Sequence, residues 1–218
     1  ALPIYMRVIL VANSKGGSGK STVATHLAAY YAGQGERVLL ADADRQLSAL
    51  AWLSRRPDSV SRITGREWAI GDEDRIPKGE GVMVLDSPAN LHGKKLTALL
   101  RLADQVVVPV QPSPFDMWAS REFFAALAEE KSVRKGRVDI AVVGMRMNPR
   151  TRAAADLCEF LGQYELPVLA HLRDTQGYVQ AASRGLALFD LPAARTQRDR
   201  SEWQPLLHWL GAPAAAAV

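Results

Sequence analysis

The chain of 218 residues contains a single cysteine, and its four histidines are scattered. Cys158 has no second cysteine with which to form an internal disulfide, and no C-x-x-C pair is present to hold zinc or an iron–sulfur cluster. The histidines show no metal-ligand spacing. These absences exclude disulfide-stapled and thiolate-metal proteins and fit a reducing compartment. We expect Cys158, in the segment DLCEFL, to pack against apolar neighbours on a helix.

The sequence also lacks a long apolar run. No segment approaches the roughly 20 apolar residues that cross a bilayer, and the first residues do not have the basic-then-apolar order of a signal peptide. We therefore expect a cytoplasmic protein. No linker rich in proline, glycine or serine divides the chain, so we expect one domain over residues 6–211. Residues 1–5 would be an extension or a non-native remnant, and residues 212–218 a flexible tail.

The net charge of +4 is small, but the arginines are clustered. Two groups of three stand close together in the later half of the chain: Arg146, Arg150 and Arg152, and Arg195, Arg198 and Arg200. Such groups can contact phosphate backbones, where counterion release drives binding that ignores base sequence. A solvated surface explains this charge equally well, so composition alone leaves both interpretations open.

Short aliphatic runs alternate with segments of helical periodicity. The runs cover residues 7–13, 37–44, 82–88, 105–113, 139–148 and 167–173, and the main helical segments cover residues 21–35, 117–130, 152–164 and 201–210. Continuous apolar strands are typical of a parallel sheet with both faces covered. The pattern predicts an α/β domain with a mostly parallel twisted sheet between two layers of helices, and ligand loops at the carboxyl ends of the strands.

The stretch NSKGGSGKST, residues 13–22, joins the first predicted strand to the first predicted helix. Its three glycines allow successive backbone N–H groups to turn around an anion, and the following helix adds its positive N-terminal end. We predict that Lys20 binds the β- and γ-phosphates of a nucleotide, that Ser21 ligates Mg²⁺ and that Thr22 donates to the α-phosphate. A glycine-rich turn with an incidental lysine is the alternative, and it does not explain the order of strand, loop and helix.

The order K-G-G-x-G-K-[ST], which starts at Lys15, resembles the deviant Walker A motif of the ParA/MinD family of P-loop ATPases. In that family the position of Ser14 is often not glycine. The resemblance implies ATP as the nucleotide and an ATP-dependent homodimer. In this dimer Lys15 of each subunit reaches the phosphates of the other and acts in catalysis as an arginine finger does. The resemblance implies nucleotide contacts for the whole loop: Lys15, Gly16, Gly17, Ser18, Gly19, Lys20, Ser21 and Thr22.

Two further segments resemble the family in the expected order. DADRQLSALAW (42–52) is similar to D-x-D-P-Q-x-S, which implies that Asp44 orients the attacking water and that Asp42 lies near the magnesium ion. Arg45 stands where the family has proline, a departure that puts the rigidity of the loop in question. VMVLDSP (82–88) ends in Asp86, which resembles a Walker B aspartate that holds Mg²⁺. Without the first motif, either segment would be an ordinary strand end or turn.

VPVQPSPFDMWAS (108–120) resembles a proline-rich segment of small ParA proteins that helps to form the nucleotide-dependent dimer. Its prolines also suffice to end a strand and begin a helix, so both interpretations stay open. The resemblance further makes Asn148 a candidate for contact with the adenine edge and Pro192 a candidate for closing over the base.

The resemblance extends from Arg7 to about Leu210 and narrows the function. Members that carry iron–sulfur clusters need cysteines that this chain lacks. A MinD-like membrane ATPase is the weaker alternative because the end of the chain, WLGAPAAAAV, is not a basic amphipathic helix. A metabolic P-loop enzyme resembling dethiobiotin synthetase is the other alternative, but such an enzyme does not need Lys15.

The chain most resembles small ParA-type ATPases that position plasmids or, in McdA-like members, carboxysomes. This implies a nucleoid-associated ATPase whose ATP-bound dimer binds duplex DNA without sequence preference. It also implies a ParB-like or McdB-like adaptor that stimulates hydrolysis and carries the cargo. The candidates for DNA contact are arginines of the later half: Arg146, Arg150, Arg152, Arg173, Arg184, Arg195, Arg198 and Arg200.

Overall fold

The aliphatic runs form the strands of one seven-stranded sheet in the computed structural model, which describes residues 5–72 and 76–211. Six strands lie within the predicted runs, and the seventh was not predicted. The strands are β1 (Arg7–Val11), β2 (Val38–Asp42), β3 (Thr64–Glu67), β4 (Val82–Asp86), β5 (Gln105–Val110), β6 (Asp139–Met147) and β7 (Val168–Arg173).

β1 lies at the centre of the sheet, whose order is β3-β2-β4-β1-β5-β6-β7. All six pairings between these strands are parallel. After β1 the chain builds one side of the sheet as far as β4, and then the other side from β5 to β7. In parallel sheets such a reversal leaves a crevice at the carboxyl ends of the strands, where ligands bind. The predicted α/β fold class is confirmed.

Helices cover both faces of the sheet. On one face lie α1 (Lys20–Gly33), α2 (Ser48–Leu53), α7 (Gln176–Ala182) and α8 (Ala193–Trp209). On the other lie α3 (Gly93–Leu102), α4 (Pro114–Glu129) and α6 (Arg152–Leu161), with the single turn α5 (Lys131–Arg134) after α4. Among the described residues, no helix has both the length and the apolar character needed to cross a membrane.

Alternate residues of the strands contribute to the two halves of the core. In β1, Ile9 and Val11 pack on the α1 side, whereas Val8 and Leu10 pack on the α4 side. All four side chains are almost completely buried. The unbroken aliphatic runs of the sequence therefore reflect a sheet that has no solvent-facing side at its centre.

Three features differ from the prediction. β3, with the sequence TGRE, is a mostly exposed edge strand and carries no apolar run. α8 begins at Ala193, eight residues before the predicted start at 201. The packing predicted for Cys158 is wrong: this cysteine is exposed, because the buried side of α6 is formed by neighbours such as Leu157 and Leu161. The predicted N-terminal extension, apart from Tyr5, and the predicted tail 212–218 lie outside the described residues.

Candidate nucleotide-binding site

The loop between β1 and α1 surrounds a hollow of about 510 Å³ at the carboxyl ends of the strands. Gly19 has a φ of +104°, and a Cβ added to it would lie 2.8 Å from Cε of Met145. A glycine is therefore favoured there both by backbone conformation and by the close approach of β6. The predicted site residues that line this hollow are Gly16, Gly17, Gly19, Lys20, Ser21, Thr22 and Asp44.

The Lys20 side chain is buried in the hollow, with 7% of the residue exposed. Its Nζ donates a hydrogen bond of 3.0 Å to the backbone oxygen of Lys15. Burial lowers the pKa of Lys20, and the carboxylates of Asp86 and Asp44 oppose this shift. The charge of Lys15 adds to the lowering of the pKa. A partly desolvated ammonium group is suited to bind a phosphate.

The structure separates Lys15 from the hollow that Lys20 faces. Lys15 lines a second hollow of about 460 Å³, whose wall includes Asn90, Ala119 and Glu122. Ser18, also predicted to contact ATP, is fully buried, and its hydroxyl has no hydrogen-bond partner among the described residues. Of the two loop lysines, only Lys20 thus lines the hollow at the strand ends.

Asp86 ends β4 directly opposite Asp42 at the end of β2. It is 1% exposed, and neither carboxylate oxygen accepts a hydrogen bond of ordinary geometry among the described residues, although the Ser21 hydroxyl lies close enough to lower its pKa. Burial raises the pKa of Asp86 to about 7; Asp42 and Asp44 add to the shift, while the nearby Ser21 hydroxyl and Lys20 oppose it. A buried carboxylate without a donor is costly unless a cation compensates it.

These properties fit a magnesium site. Mg²⁺ prefers oxygen ligands, and the Ser21 hydroxyl lies beside the unpaired oxygens of Asp86. Asp42 fits less well as a direct ligand, because its oxygens already accept hydrogen bonds from three backbone N–H groups, those of Asp44, Ala49 and Leu50. Burial raises the pKa of Asp42, and these N–H groups oppose the rise. Asp42 therefore anchors the first turn of α2.

Asp44 is held in place although the proline of the family pattern is missing. Its two oxygens accept hydrogen bonds from the backbone N–H of Gln46 at 2.9 Å and of Ala89 at 3.1 Å. The second bond ties the β2 loop to the loop after β4. Arg45 is exposed and replaces the proline without removing these constraints. The carboxylate thus stands at the rim of the hollow in a defined orientation.

Two amide side chains that sequence reasoning missed support the loop. Asn13 is buried; its amide nitrogen donates to the oxygens of Pro109 and Ser120 at 2.8 and 3.1 Å, and its amide oxygen accepts from the Lys15 N–H at 3.0 Å. Gln111 donates from Nε2 to the backbone oxygen of Gly17. Asn13 follows β1 and Gln111 follows β5. This position after an apolar strand was the one feature of the sequence that could have identified them as residues of the site.

A more apolar cavity of about 500 Å³ adjoins the hollow and shares Gly19, Ser21 and Thr22 with it. Its wall is completed by side chains of α1, α2, α7 and the ends of β6 and β7, among them His26, Trp52, Met145, Thr175 and Tyr178. Asn148 and Pro192, the residues predicted to contact the base, are not among those that line it. Both lie in exposed positions, after β6 and before α8 respectively.

The arginines predicted to contact DNA do not form one surface. Arg146 lines the cavity and the hollow, with an unusual φ of +49°. Arg173 pairs with Asp199 at 2.5 Å. Arg200 donates to backbone oxygens, including that of Phe189 at 3.0 Å. The other exposed arginines of this set lie in two groups on opposite faces of the sheet. Arg150 and Arg152 lie at the start of α6, whereas Arg184 follows α7, and Arg195 and Arg198 lie on α8.

The chain is similar to known proteins over most of its length. Residues 9–189 match the family described as the CobQ/CobB/MinD/ParA nucleotide binding domain. The maintenance of carboxysome distribution protein A of Gloeobacter kilaueensis is 33% identical over 190 residues, which cover 84% of each chain. The chromosome-partitioning ATPase Soj of Thermus thermophilus is 32% identical over 180 residues, covering 67% of this chain and 66% of Soj.

The fold is also found among solved structures. A complex of a Cyanothece McdA variant with ATP superposes with a TM-score of 0.72 and covers 98% of this chain and 100% of that one, at 15% sequence identity. At this identity the likeness concerns the fold alone. Together with the matched residues 9–189, which contain the loop, Asp44 and Asp86, it shows that the chain belongs to the ParA/MinD family of P-loop nucleotide-binding proteins.

Proposed function

We propose that the protein is an ATPase that dimerises with ATP, binds duplex DNA in that state without sequence preference, and positions a cargo through an adaptor. The observation that carries the proposal is that the two lysines of the loop line different hollows. Lys20 faces the hollow with Asp44 at its rim, whereas Lys15 lines a different hollow against α4. A lysine that lines a hollow other than its own phosphate site is suited to reach the nucleotide of a second subunit.

In the proposed reaction, the loop N–H groups and Lys20 bind the β- and γ-phosphates, and Ser21 and Asp86 hold Mg²⁺. Bound Mg²⁺ supplies positive charge that offsets the charge developing on the phosphate oxygens. Asp44 accepts a hydrogen bond from a water molecule and holds it in line with the γ-phosphate. The water oxygen bonds to phosphorus as the bond to the leaving oxygen of ADP breaks, and the proton of the water leaves with the phosphate product. Lys15 of the partner subunit stabilises the transferred group.

We place the base of the nucleotide in the apolar cavity beside the loop. The cavity shares the first turn of α1 with the phosphate hollow, and its apolar wall suits an aromatic base. Arg146, at the border of both spaces and in a sparsely populated backbone conformation, is a better candidate for a nucleotide contact than for a DNA contact. Contacts from Asn148 and Pro192 stay predictions for the ATP-bound state.

The DNA surface that we propose is formed by Arg184, Arg195 and Arg198. Arg184 and Arg195 lie on either side of a hollow between α7 and α8, and Arg198 is exposed on the next turn of α8. Arg173 and Arg200 are committed to internal acceptors and are not needed for this surface. Arg150 and Arg152 lie on the other face and would contact DNA only if the dimer brings both faces to it.

We propose a nucleoid-bound protein whose cargo is connected by a ParB-like or McdB-like adaptor. Relatives named for carboxysome distribution are similar over 84 to 85% of this chain, compared with 67% for Soj. This favours a large protein assembly over a DNA locus as the cargo. Stimulation of hydrolysis by the adaptor would then release the ATPase from DNA near the cargo.

The test is DNA binding by the purified protein, with Mg²⁺ and either ATP, ADP or no nucleotide. Two duplexes of unrelated sequence should bind equally with ATP and weakly otherwise, with an affinity that falls steeply with salt. Phosphate release should rise with DNA in the absence of any metabolite. Binding that ignores the nucleotide would contradict the proposal. ATP-dependent binding to anionic lipid vesicles instead of DNA would favour a MinD-like function.

A further inference from the structure

His26 lies on α1, one turn after Thr22, at the centre of a buried aromatic cluster. The residue is 2% exposed, and its imidazole stacks on Trp203 of α8 with ring centroids 5.3 Å apart and an interplanar angle of 10°. The rings of Tyr178 on α7 and of Phe189 lie 5.0 and 6.2 Å from it. The cluster therefore joins the helix that follows the nucleotide loop to the last helix of the domain.

Both ring nitrogens of His26 form hydrogen bonds to backbone groups. Nδ1 lies 2.8 Å from the oxygen of Thr22, and Nε2 lies 3.2 Å from the nitrogen of Leu188. A carbonyl only accepts and an amide N–H only donates, so the imidazole is neutral with its proton on Nδ1. Burial lowers the pKa of His26 to about 4, which keeps this form at neutral pH. One side chain thus bridges residues that are 166 positions apart, 22 and 188.

Leu188 belongs to a 3₁₀ turn, Leu188–Asp190, that is fixed to α8. The guanidinium group of Arg200 donates to the backbone oxygens of Leu188 at 3.2 Å and Phe189 at 3.0 Å. On the other side, Asp190 forms a buried bidentate ion pair with Arg56, with both distances 2.7 Å. Because the turn is held so firmly, a displacement of its Leu188 N–H is transmitted to α8.

We propose that His26 is a positioning residue that couples the nucleotide loop to α8. A phosphate bound at Thr22 acts on the first turn of α1, and His26 connects that turn to Leu188 and to Trp203 on α8. Because α8 carries Arg195 and Arg198, this coupling makes their orientation depend on the nucleotide. The inference rests on the proposed function in assigning DNA contact to these arginines, but the mechanical link itself does not.

Two substitutions of His26 test its hydrogen bonds to Thr22 and Leu188 separately. His26→Asn places an amide nitrogen near the position of Nδ1 and keeps the bond to Thr22, whereas His26→Gln places an amide oxygen near the position of Nε2 and keeps the bond to Leu188. Matched controls are His208→Asn and His208→Gln, because His208 is exposed on the last turn of α8. His26 also lines the apolar cavity beside the loop, so ATP affinity is determined for each variant and DNA binding is compared at saturating nucleotide.

The measurements are ATP affinity, the ratio of DNA affinities with and without ATP, and hydrogen exchange of residues 186–200 with and without a non-hydrolysable ATP analogue and Mg²⁺. In the wild-type protein the analogue should change exchange in this segment. At saturating ATP, both His26 variants should reduce the effect of ATP on DNA affinity by about tenfold. The Leu188 N–H should exchange faster in the Asn variant and stay protected in the Gln variant.

Failure of the inference and failure of the proposed function give different results. If the DNA affinity of the wild-type protein does not depend on ATP, the proposed function is wrong. The change in hydrogen exchange of residues 186–200 with the ATP analogue still tests the role of His26 in that case. Variants that respond to nucleotide like the wild type overturn the coupling. If the substitutions unfold the protein, ¹⁵N NMR spectra of the histidine imidazoles in the wild-type protein test the coupling instead. The Nδ1–H tautomer and a change of the His26 Nε2 resonance with the analogue are expected, and an unchanged resonance overturns the proposal.

Discussion

Nζ of Lys20 donates a hydrogen bond of 3.0 Å to the backbone oxygen of Lys15, so the two lysines of the loop are linked although they line different hollows. A phosphate that enters the hollow competes with this carbonyl for the Lys20 ammonium group. The Lys15 side chain lines the other hollow, and its charge acts on Lys20 from there. The geometry therefore predicts that the two lysines fail in different ways when each is removed.

Lys20→Ala should weaken ATP binding by at least about tenfold, because a charge-assisted hydrogen bond to phosphate is lost. Lys15→Ala should leave ATP binding to the monomer unchanged but slow hydrolysis by about a thousandfold, as loss of an arginine finger does. Titration with a fluorescent ATP analogue and phosphate release measure the two effects. Lys135→Ala, at an exposed lysine, is the control. Normal hydrolysis by the Lys15 variant would refute action in trans.

The strands and the loop could be predicted from the sequence because they depend on local patterns. Aliphatic runs indicate that both faces of the sheet are buried. A glycine-rich loop between a strand and a helix indicates a backbone that curves around an anion. β3 could not be predicted in this way, since its pairing with β2 needs no apolar side chains. The first turns of α8 were missed for a similar reason: AARTQRDR is mostly polar, and its start is set by Pro192 as N-cap.

The roles of individual charged residues were less predictable, because they depend on partners distant in the chain. The sequence does not show that the guanidinium of Arg200 is taken up by the turn Leu188–Asp190. Nor does it show that Asp42 accepts the N–H groups of α2, or that Arg146 borders the apolar cavity. Motif matching identified loops that line one hollow at the strand ends, whereas the contacts of each residue within these loops required the structure.

Asp44→Ala should trap the ATP-bound dimer on DNA. The carboxylate is fixed at the rim of the hollow by the N–H groups of Gln46 and Ala89, so its removal affects the position of water rather than the binding of nucleotide. Phosphate release should fall by about a hundredfold, with ATP and DNA affinity retained. Asp58→Ala, at an exposed loop position, is the control. Rapid turnover by the Asp44 variant would count against its assigned role.

Asp42 and Asp86 end neighbouring strands, but their substitutions should have opposite effects on stability. Asp86→Asn removes a buried carboxylate without a donor, so the metal-free protein should unfold at higher urea concentration at neutral pH. Asp42→Asn replaces one of the two accepting oxygens by an NH₂ group, so at least one of the three N–H groups loses its acceptor, and the protein should be destabilised by about 1–3 kcal/mol.

Measurement of ATP hydrolysis with Mg²⁺ distinguishes the role of Asp86 in metal binding from its effect on the free energy of unfolding. The stabilised Asp86 variant should lose Mg²⁺-dependent hydrolysis although it is folded more firmly. A less stable Asp86 variant would show that the carboxylate has a donor in solution, and full activity would show that it does not hold the metal.

Phe115 and Trp118 on the first turns of α4 should anchor the dimer. They are 70% and 59% exposed, their rings contact each other edge-on with centroids 5.4 Å apart, and Ala119 on the same helix lines the Lys15 hollow. Alanine at both positions should weaken ATP-dependent dimerisation by about tenfold or more. The unfolding free energy should change by less than about 0.5 kcal/mol, because exposed side chains contribute little to the monomer.

Sedimentation with a non-hydrolysable ATP analogue measures this dimerisation, and Ile70→Ala, which shortens another exposed apolar side chain, is the control. If dimerisation of the variant is unchanged, the prolines of the segment 108–120 serve only to end the strand and to begin α4. That role is visible in the structure: Pro114 occupies the first turn of α4, and the Ser113 hydroxyl accepts the Asp116 N–H at 3.1 Å.

His26 should make stability depend on pH. Its pKa is about 4 in the folded protein, compared with 6.5 for an unperturbed histidine, so the unfolded chain binds the proton more readily. The contribution of the neutral imidazole is therefore complete above pH 6.5 and is lost as the pH falls from 6.5 to about 4. A difference of this size corresponds to about 3 kcal/mol.

Urea unfolding at several pH values measures the effect. His26→Gln cannot take up this proton, so its stability should fall less than that of the wild type over the same interval, whereas His208→Gln should follow the wild type because His208 is exposed. Parallel curves for the wild type and the His26 variant would show that the imidazole is hydrated or charged in the folded protein. A hydrated imidazole would exchange the buried bond from the Leu188 N–H for bonds to water, and the coupling between the nucleotide loop and α8 would have to be carried by packing against Trp203 alone.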